Sequence, residues 1–222
     1  MAGIQDRHPA GAPGPWFVDD RCIGCGASRH VAPGLIRANP GDGVSYFERQ
    51  PQTDVEVEMA WRAVMVCPTR SVGHETLKRP PEPVFPQDLG DGVYRLGHNA
   101  RGSFGAHSYL VVRDGANLMV DSPRWTREVV EPAESLGGID HILLSHRDDV
   151  ADADRYAERF GARVWIHADD GAAAPYATDR IEGTAAIEIL PGVSAFPVPG
   201  HTRGSVLFQV NSHLLFSGDS LA

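Results

Sequence analysis

The sequence predicts two domains of different class: a small α+β unit, then an α/β domain in which helices cover β-sheets. Three observations carry this expectation. All three cysteines, Cys22, Cys25 and Cys67, fall in the first third of the chain. Pro80, Pro81, Pro83 and Pro86 cluster between Lys78 and Gly92, a composition that favours an extended linker. Beyond Val93, apolar runs of strand length alternate with helical periodicity, which calls for sheets with covering helices.

The elements follow in order. Residues 1–15 are rich in Gly, Pro and Ala, lack an apolar signal-peptide core, and read as a disordered leader. The small domain spans residues 16–77. Within it, Val44 to Phe47 reads as a strand. Thr53 followed by Glu56 is a capping-box signature. The helix it starts places Ala60, Ala63, Val64 and Cys67 on one face, and Pro68 stops it. Residues 78–92 form the linker and 93–222 the α/β domain. There, Asp114-Gly115 marks a hairpin between Ser108–Val112 and Leu118–Val120. Ile139 to Leu144 is a strand ending at Ser145-His146. Asp152 to Phe160 is a helix ended by Gly161, and Val164 to Ile166 is the next strand. Ile187–Leu190, Ala195–Val198, Ser205–Val210 and His213–Phe216 complete the set.

Composition narrows the function. The 222 residues are 42% hydrophobic, enough for a packed core. A net charge of −9 with no basic block argues against nucleic acid as a partner. No apolar run approaches the roughly 20 residues of a membrane helix. A cytoplasmic protein acting on a small-molecule substrate, with a redox partner as a further option, is expected.

Three strand ends of the α/β domain offer metal ligands. The first is Ser145-His146-Arg147-Asp148-Asp149-Val150-Ala151-Asp152, an imidazole followed by carboxylates at Asp148 and Asp152. Asp149 reads as the solvent-facing member of the acidic pair. The second is His201, held between Gly200 and Thr202 after Pro199. The third is Asp219 after Gly218. Imidazole and carboxylate donors suit zinc, iron or manganese, and such an ion acidifies a bound water into a nucleophile. Asp148 and Asp152 are the candidate catalytic carboxylates. His98, His107, His141, His167 and His213 read as surface or structural residues; His167, close to Asp169 and Asp170, is the one placed nearest a cleft.

Pro199-Gly200-His201-Thr202-Arg203-Gly204-Ser205 together with Phe216-Ser217-Gly218-Asp219 resembles the metallo-β-lactamase fold superfamily. Leu118-Met119-Val120-Asp121-Ser122 looks like that family's early strand ending in Asp. The resemblance covers most of Val93 to Ala222. It implies an αββα sandwich with metal at one edge of the sheets, hydrolysis of an ester, thioester, amide or phosphodiester, and ligand roles for His146, His201 and a bridging Asp219. The family's loop is His-x-His-x-Asp-His. Here Asp148 stands at the second histidine, and the Asp-His pair is absent or displaced to Asp152-Ala153. The family domain continues past the position of Asp219, so the C-terminal part of the sandwich is expected to be missing.

Cys22-Ile23-Gly24-Cys25-Gly26-Ala27-Ser28, then Ala32-Pro33 and a distant Cys67-Pro68, looks like a ferredoxin cluster loop. The resemblance covers about Trp16 to Gly73 and implies a ferredoxin-like domain with one [4Fe–4S] cluster. Ser28 stands at the third ligand position, where the family has cysteine.

Three functions stay open on these residues. The first is a metal-dependent hydrolase whose iron–sulfur domain is structural or redox-sensing. The second is a non-haem iron redox enzyme fed by the cluster, since His146-Arg147-Asp148 resembles the iron-binding loop of flavodiiron proteins. The third is a catalytically impaired or truncated member of the fold.

Overall fold

The computed structural model describes residues 3–221; Met1 and Ala2 of the expected leader, and Ala222 at the expected early end, lie outside the described residues. The chain divides into two compact units. Unit 1 comprises Met1–Phe85 and Gly97–Gly105, and unit 2 comprises Pro86–Leu96 and Ala106–Ala222. The boundary at Phe85 falls inside the expected linker. The return of Gly97–Gly105 to unit 1 has no counterpart in the expected boundaries.

Unit 1 holds β1 (Trp16–Val18), α1 (Ala27–Val31), β2 (Ile36–Ala38), β3 (Ser45–Phe47), α2 (Asp54–Val66) and β4 (Val72–His74). β1 pairs antiparallel with β4, and β2 with β3. Thr53 caps α2 by accepting from Glu56 N at 3.3 Å. Glu56 reaches back to accept from Gln52 N at 2.8 Å, one residue earlier than the reciprocal capping bond. Helix α2 ends at Val66 with Cys67 as its extended C-cap, where Pro68 forbids continuation. Trp16, Leu35, Phe47, Trp61 and Val66 form the buried core, with Trp16 edge-on to Trp61 at 4.8 Å between ring centroids.

Residues 3–15 are not a disordered leader. Gly3 N donates to Asp19 Oδ2 at 2.9 Å, and Ala12 N donates to Phe47 O at 2.8 Å. His8 is buried, lies 3.2 Å from Asp42 and stacks on Tyr46. A Gly/Pro-rich composition lowers helix and strand propensity, but it does not prevent a segment from satisfying its backbone against strands already formed.

Unit 2 begins with β5 (Gln87–Asp88), β6 (Val93–Arg95), β7 (Tyr109–Val111) and β8 (Leu118–Val120). It continues with α3 (Arg127–Ser135), β9 (His141–Leu143), α4 (Ala153–Phe160), β10 (Arg163–His167) and β11 (Asp179–Ile181). It closes with β12 (Ile187–Leu190), β13 (Val193–Pro197), β14 (Val206–Val210) and β15 (Leu214–Phe216). Strands β5 to β11 make a mixed sheet in the order β11-β10-β9-β8-β7-β6-β5, and β12 to β15 make an antiparallel meander.

Strand alternation sorts the side chains into two cores. Leu110, Met119, Ile142, Val164 and Ile166 pack under α3 and α4 with Val129, Ala133 and Tyr156. Val111, Leu118, Val120 and Leu143 face Val193, Ala195, Val206 and Phe208 across the two sheets. The layers run helix, sheet, sheet; among the described residues of unit 2 no helix covers the far face of the second sheet, where Leu215 is exposed. The fold class is mixed α/β, as the sequence predicts. Helix α3 escapes the sequence reading because Pro132 sits inside it and removes an internal donor.

Candidate functional site

The loop after β9 carries His146 in extended conformation and then tightens into a 3-10 turn, Arg147–Asp149. In such a turn residues three apart eclipse one another. Asp149 therefore falls on the side of His146, with its Oδ2 3.3 Å from His146 Nε2. Asp149 is 3% exposed and Asp148 44%, which reverses the expectation that Asp149 faces solvent. Asp148 nonetheless reaches the same place, with Oδ2 3.9 Å from His146 Nε2 and 3.3 Å from His201 Nε2.

Asp219 completes the group. Its Oδ2 lies 3.7 Å from His146 Nε2 and 3.9 Å from His201 Nε2. His146, His201 and Asp219 each present one ligand atom within 4.8 Å of the others. The two imidazoles meet edge to face, 4.9 Å between centroids. The sequence-predicted His146, Asp148, His201 and Asp219 are thus brought together. Asp152 is not: it precedes α4, and its Oδ2 accepts from Trp125 N at 2.6 Å. That bond ties down the segment before α3 and takes the carboxylate out of the group.

Buried residues behind the site orient it. Asp121, fully buried with a positive φ of 52°, accepts from Ser145 N at 2.7 Å and Ser145 Oγ at 2.9 Å. Ser145 Oγ in turn lies 2.9 Å from His146 Nδ1. Burial, then the charges of Asp149 and Asp219, pushes the Asp121 carboxyl well above the usual carboxylate range; the Ser145 bonds oppose this. Burial also holds the His146 imidazole below its ordinary value, against the pull of Asp219, which favours the neutral form that ligates metals. Gly218 admits this packing, since a Cβ there would lie 2.3 Å from Ser145 Oγ.

Asp170, whose role the sequence reading did not see, braces the second loop. Its Oδ2 accepts from Arg147 N at 3.1 Å and from Thr202 Oγ1 at 2.5 Å. Thr202 N donates to Ser205 Oγ at 2.9 Å. A Cβ on Gly204 would lie 2.7 Å from Asp170 Cγ. The Thr202, Gly204 and Ser205 positions of the His201 segment thus serve to fasten His201 beside His146. His167 is structural: Nε2 contacts Gly183 O at 2.8 Å and Nδ1 accepts from Asp169 N at 3.2 Å. His98, His107 and His141 are buried, and His213 is exposed.

A divalent cation fits this donor set. His146 Nε2 is buried and has no hydrogen-bond partner, although carboxylate oxygens stand 3.3, 3.7 and 3.9 Å away. Those separations are long for hydrogen bonds. They match the roughly 3.4 Å between donors that each sit ~2.1 Å from one tetrahedral ion.

In unit 1, Cys22 and Cys25 are half-buried, Cys67 is buried, and none is in a disulfide. Ser28 is buried on the first turn of α1. Burial pushes the Cys25 thiol up, the backbone N–H of Ala27 opposes this, and Cys67 and Cys22 add to the rise. Three thiol donors are present between residues 22 and 67, where a four-iron cluster takes four.

Residues 18–74 match the family described as the 4Fe-4S single cluster domain of Ferredoxin I. The chain is 33% identical over 119 residues to a hydroxyacylglutathione hydrolase of Acidiphilium cryptum, covering 52% of this chain and 49% of that protein. It is 34% identical over 116 residues to a hydroxyacylglutathione hydrolase of Stenotrophomonas maltophilia, covering 50% and 44%. The chain thus spans about half the length of the curated relatives it matches. Among solved structures, a Cronobacter sakazakii metallo-β-lactamase variant aligns over 60% of this chain and 61% of its own, at 18% identity and a TM-score of 0.48. The relatives named for an activity are hydrolases. No helix among the described residues is long and apolar enough to cross a membrane.

Proposed function

We propose that the chain is a metal-dependent hydrolase of an ester, thioester or phosphodiester substrate, with an iron–sulfur unit of structural or redox-sensing role. The observation that carries it is the convergence of His146, His201 and Asp219, one ligand atom from each lying within 4.8 Å of the others. His146, His201, Asp219 and the adjoining Asp148 and Asp149 would hold zinc or iron, which supplies a water acid enough to ionise near neutral pH. Asp148, 44% exposed and 3.3 Å from His201 Nε2, would be the carboxylate available to accept a proton. Asp121 and Ser145 hold His146, and Asp170 holds the segment that carries His201. The similarity to hydroxyacylglutathione hydrolases favours an acyl thioester within this substrate range.

The test is hydrolysis of a panel of thioesters, aryl esters and phosphodiesters by the zinc-loaded and iron-loaded chain, against His201→Ala and Asp148→Asn. Turnover of one class that both variants lose supports the reading. Turnover of none, with metal bound, counts against it. A non-haem iron redox enzyme is the second reading, favoured by a group with three carboxylates to two imidazoles. Iron retained over zinc, with oxygen consumption on reduction, would select it.

A further inference from the structure

We propose that unit 1 holds a three-iron cluster, bound by Cys22, Cys25 and Cys67 alone, with the fourth corner left open beside Ser28. The inference rests on the iron–sulfur reading of unit 1 and is independent of the hydrolase reading of unit 2. Its first ground is a count. The sequence has three cysteines, all in unit 1. A four-iron cube takes four thiolates, one per iron. Three thiolates match the cube that lacks one iron.

The second ground is that these cysteines are not ordinary core residues. Ser45 N–H donates to Cys22 Sγ at 3.4 Å. Ser71 N–H donates to Cys67 Sγ at 3.2 Å, and the hydroxyls of Ser71 and Thr69 lie 3.2 and 3.5 Å from the same sulfur. A lone thiol has one weak proton and little need of three neighbours. A cluster-ligating sulfur has no proton and carries charge, so every one of these contacts becomes a donor to it. Hydrogen bonds of this kind set the potential of iron–sulfur centres.

The third ground is spacing. Among the described residues, the three sulfurs do not close within 4.8 Å of one another, whereas His146, His201 and Asp219 do. That disfavours a single ion held by all three thiolates. Arg29 braces the loop: Nη1 donates to Ser45 Oγ at 2.7 Å and Nη2 to Gly24 O at 3.1 Å. Its positive charge thereby sits beside the segment that carries Cys22 and Cys25.

The full chain is isolated without oxygen and reconstituted with ferric iron and sulfide. This is done in the His201→Ala background, so that metal in unit 2 stays out of the count. Iron and sulfide are then measured with EPR of the oxidised state, in this chain and with Ser28→Ala or Ser28→Cys added. Three ferric ions carry an odd number of d electrons, so an oxidised three-iron cluster is paramagnetic; an oxidised four-iron cube of ferredoxin type is not. Three irons per chain with an EPR signal in the oxidised state is the expected result. Ser28→Ala should leave both unchanged. Ser28→Cys should raise the count to four and move the signal to the reduced state. Four irons with a silent oxidised state overturns the proposal but keeps the cluster: loss of the fourth iron in Ser28→Ala would make Ser28 a ligand, and its retention would make solvent one. No iron after reconstitution overturns the proposal together with the iron–sulfur reading.

Discussion

Ser145 gives both of its protons to Asp121: the backbone N–H to Oδ1 at 2.7 Å and the hydroxyl to Oδ2 at 2.9 Å. With Asp121 ionised, that hydroxyl proton is committed, and Ser145 Oγ, 2.9 Å from His146 Nδ1, is left to accept from Nδ1–H. The tautomer is thereby set, and the Nε2 lone pair faces the carboxylates of Asp148, Asp149 and Asp219. A metal-ligating histidine needs this kind of support on its second nitrogen.

Ser145→Ala removes the acceptor for Nδ1–H and one donor to Asp121. Zinc affinity is expected to fall by about 10- to 100-fold, the usual effect of losing a partner of a ligating histidine. Competition with a chromophoric chelator measures it. Unchanged affinity would mean that His146 does not depend on Ser145 for its orientation.

Asp170→Ala leaves Arg147 N–H without its acceptor and the Thr202 hydroxyl with only Ser205 Oγ, 2.9 Å away. Stability in urea is expected to fall by about 1–3 kcal/mol, the range for stranding buried donors. Zinc affinity should fall as well, because Asp170 ties the His146 loop to the His201 loop. Gly204→Ala presses a methyl against the same carboxylate, and overpacking of this kind typically costs about 1–3 kcal/mol. The two substitutions share one contact, so their effects should not add.

Thr53→Ala removes the side-chain cap of α2. A loss of about 1 kcal/mol is expected. Denaturant unfolding followed by the fluorescence of Trp16 and Trp61 reads it, and zinc uptake by unit 2 should not change.

Glu56 gives a pH dependence of known sign. The ion pair with Arg49 and the bond from Gln52 N lower its carboxyl from 4.5 to about 2. A carboxyl depressed in the folded state adds stability above its unfolded value and loses it as pH falls through the folded one. Wild type should therefore exceed Glu56→Gln in stability at pH 6. The gap should close between pH 4.5 and about 2. A gap of constant size across that window would show that the carboxylate charge is not what Glu56 contributes.

Much of the site was legible in the sequence because His201 and Asp219 are embedded in short-range turn chemistry. Pro199, Gly204 and Gly218 mark backbone that has to bend or approach closely, and such marks survive in one dimension. Asp149 was misread because which of two adjacent carboxylates turns inward depends on the turn that carries them; the 3-10 turn puts Asp149 beside His146. Asp152 was misread because an acidic residue at a helix start looks the same whether it faces a metal or ties a neighbouring backbone. Asp170 was out of reach: its partners Arg147 and Thr202 lie 23 and 32 residues away, and only folding brings them together. The packing of residues 3–15 was invisible for the same reason, since its partners Asp19 and Phe47 lie downstream.

The central claim is that His146, His201 and Asp219 form one metal-binding centre. Zinc bound per chain, measured after equilibrium dialysis of wild type and His201→Ala, tests it most directly. The account predicts at least one more zinc ion in wild type than in the variant, with the iron content of unit 1 equal in both. Equal zinc in the two chains would contradict it.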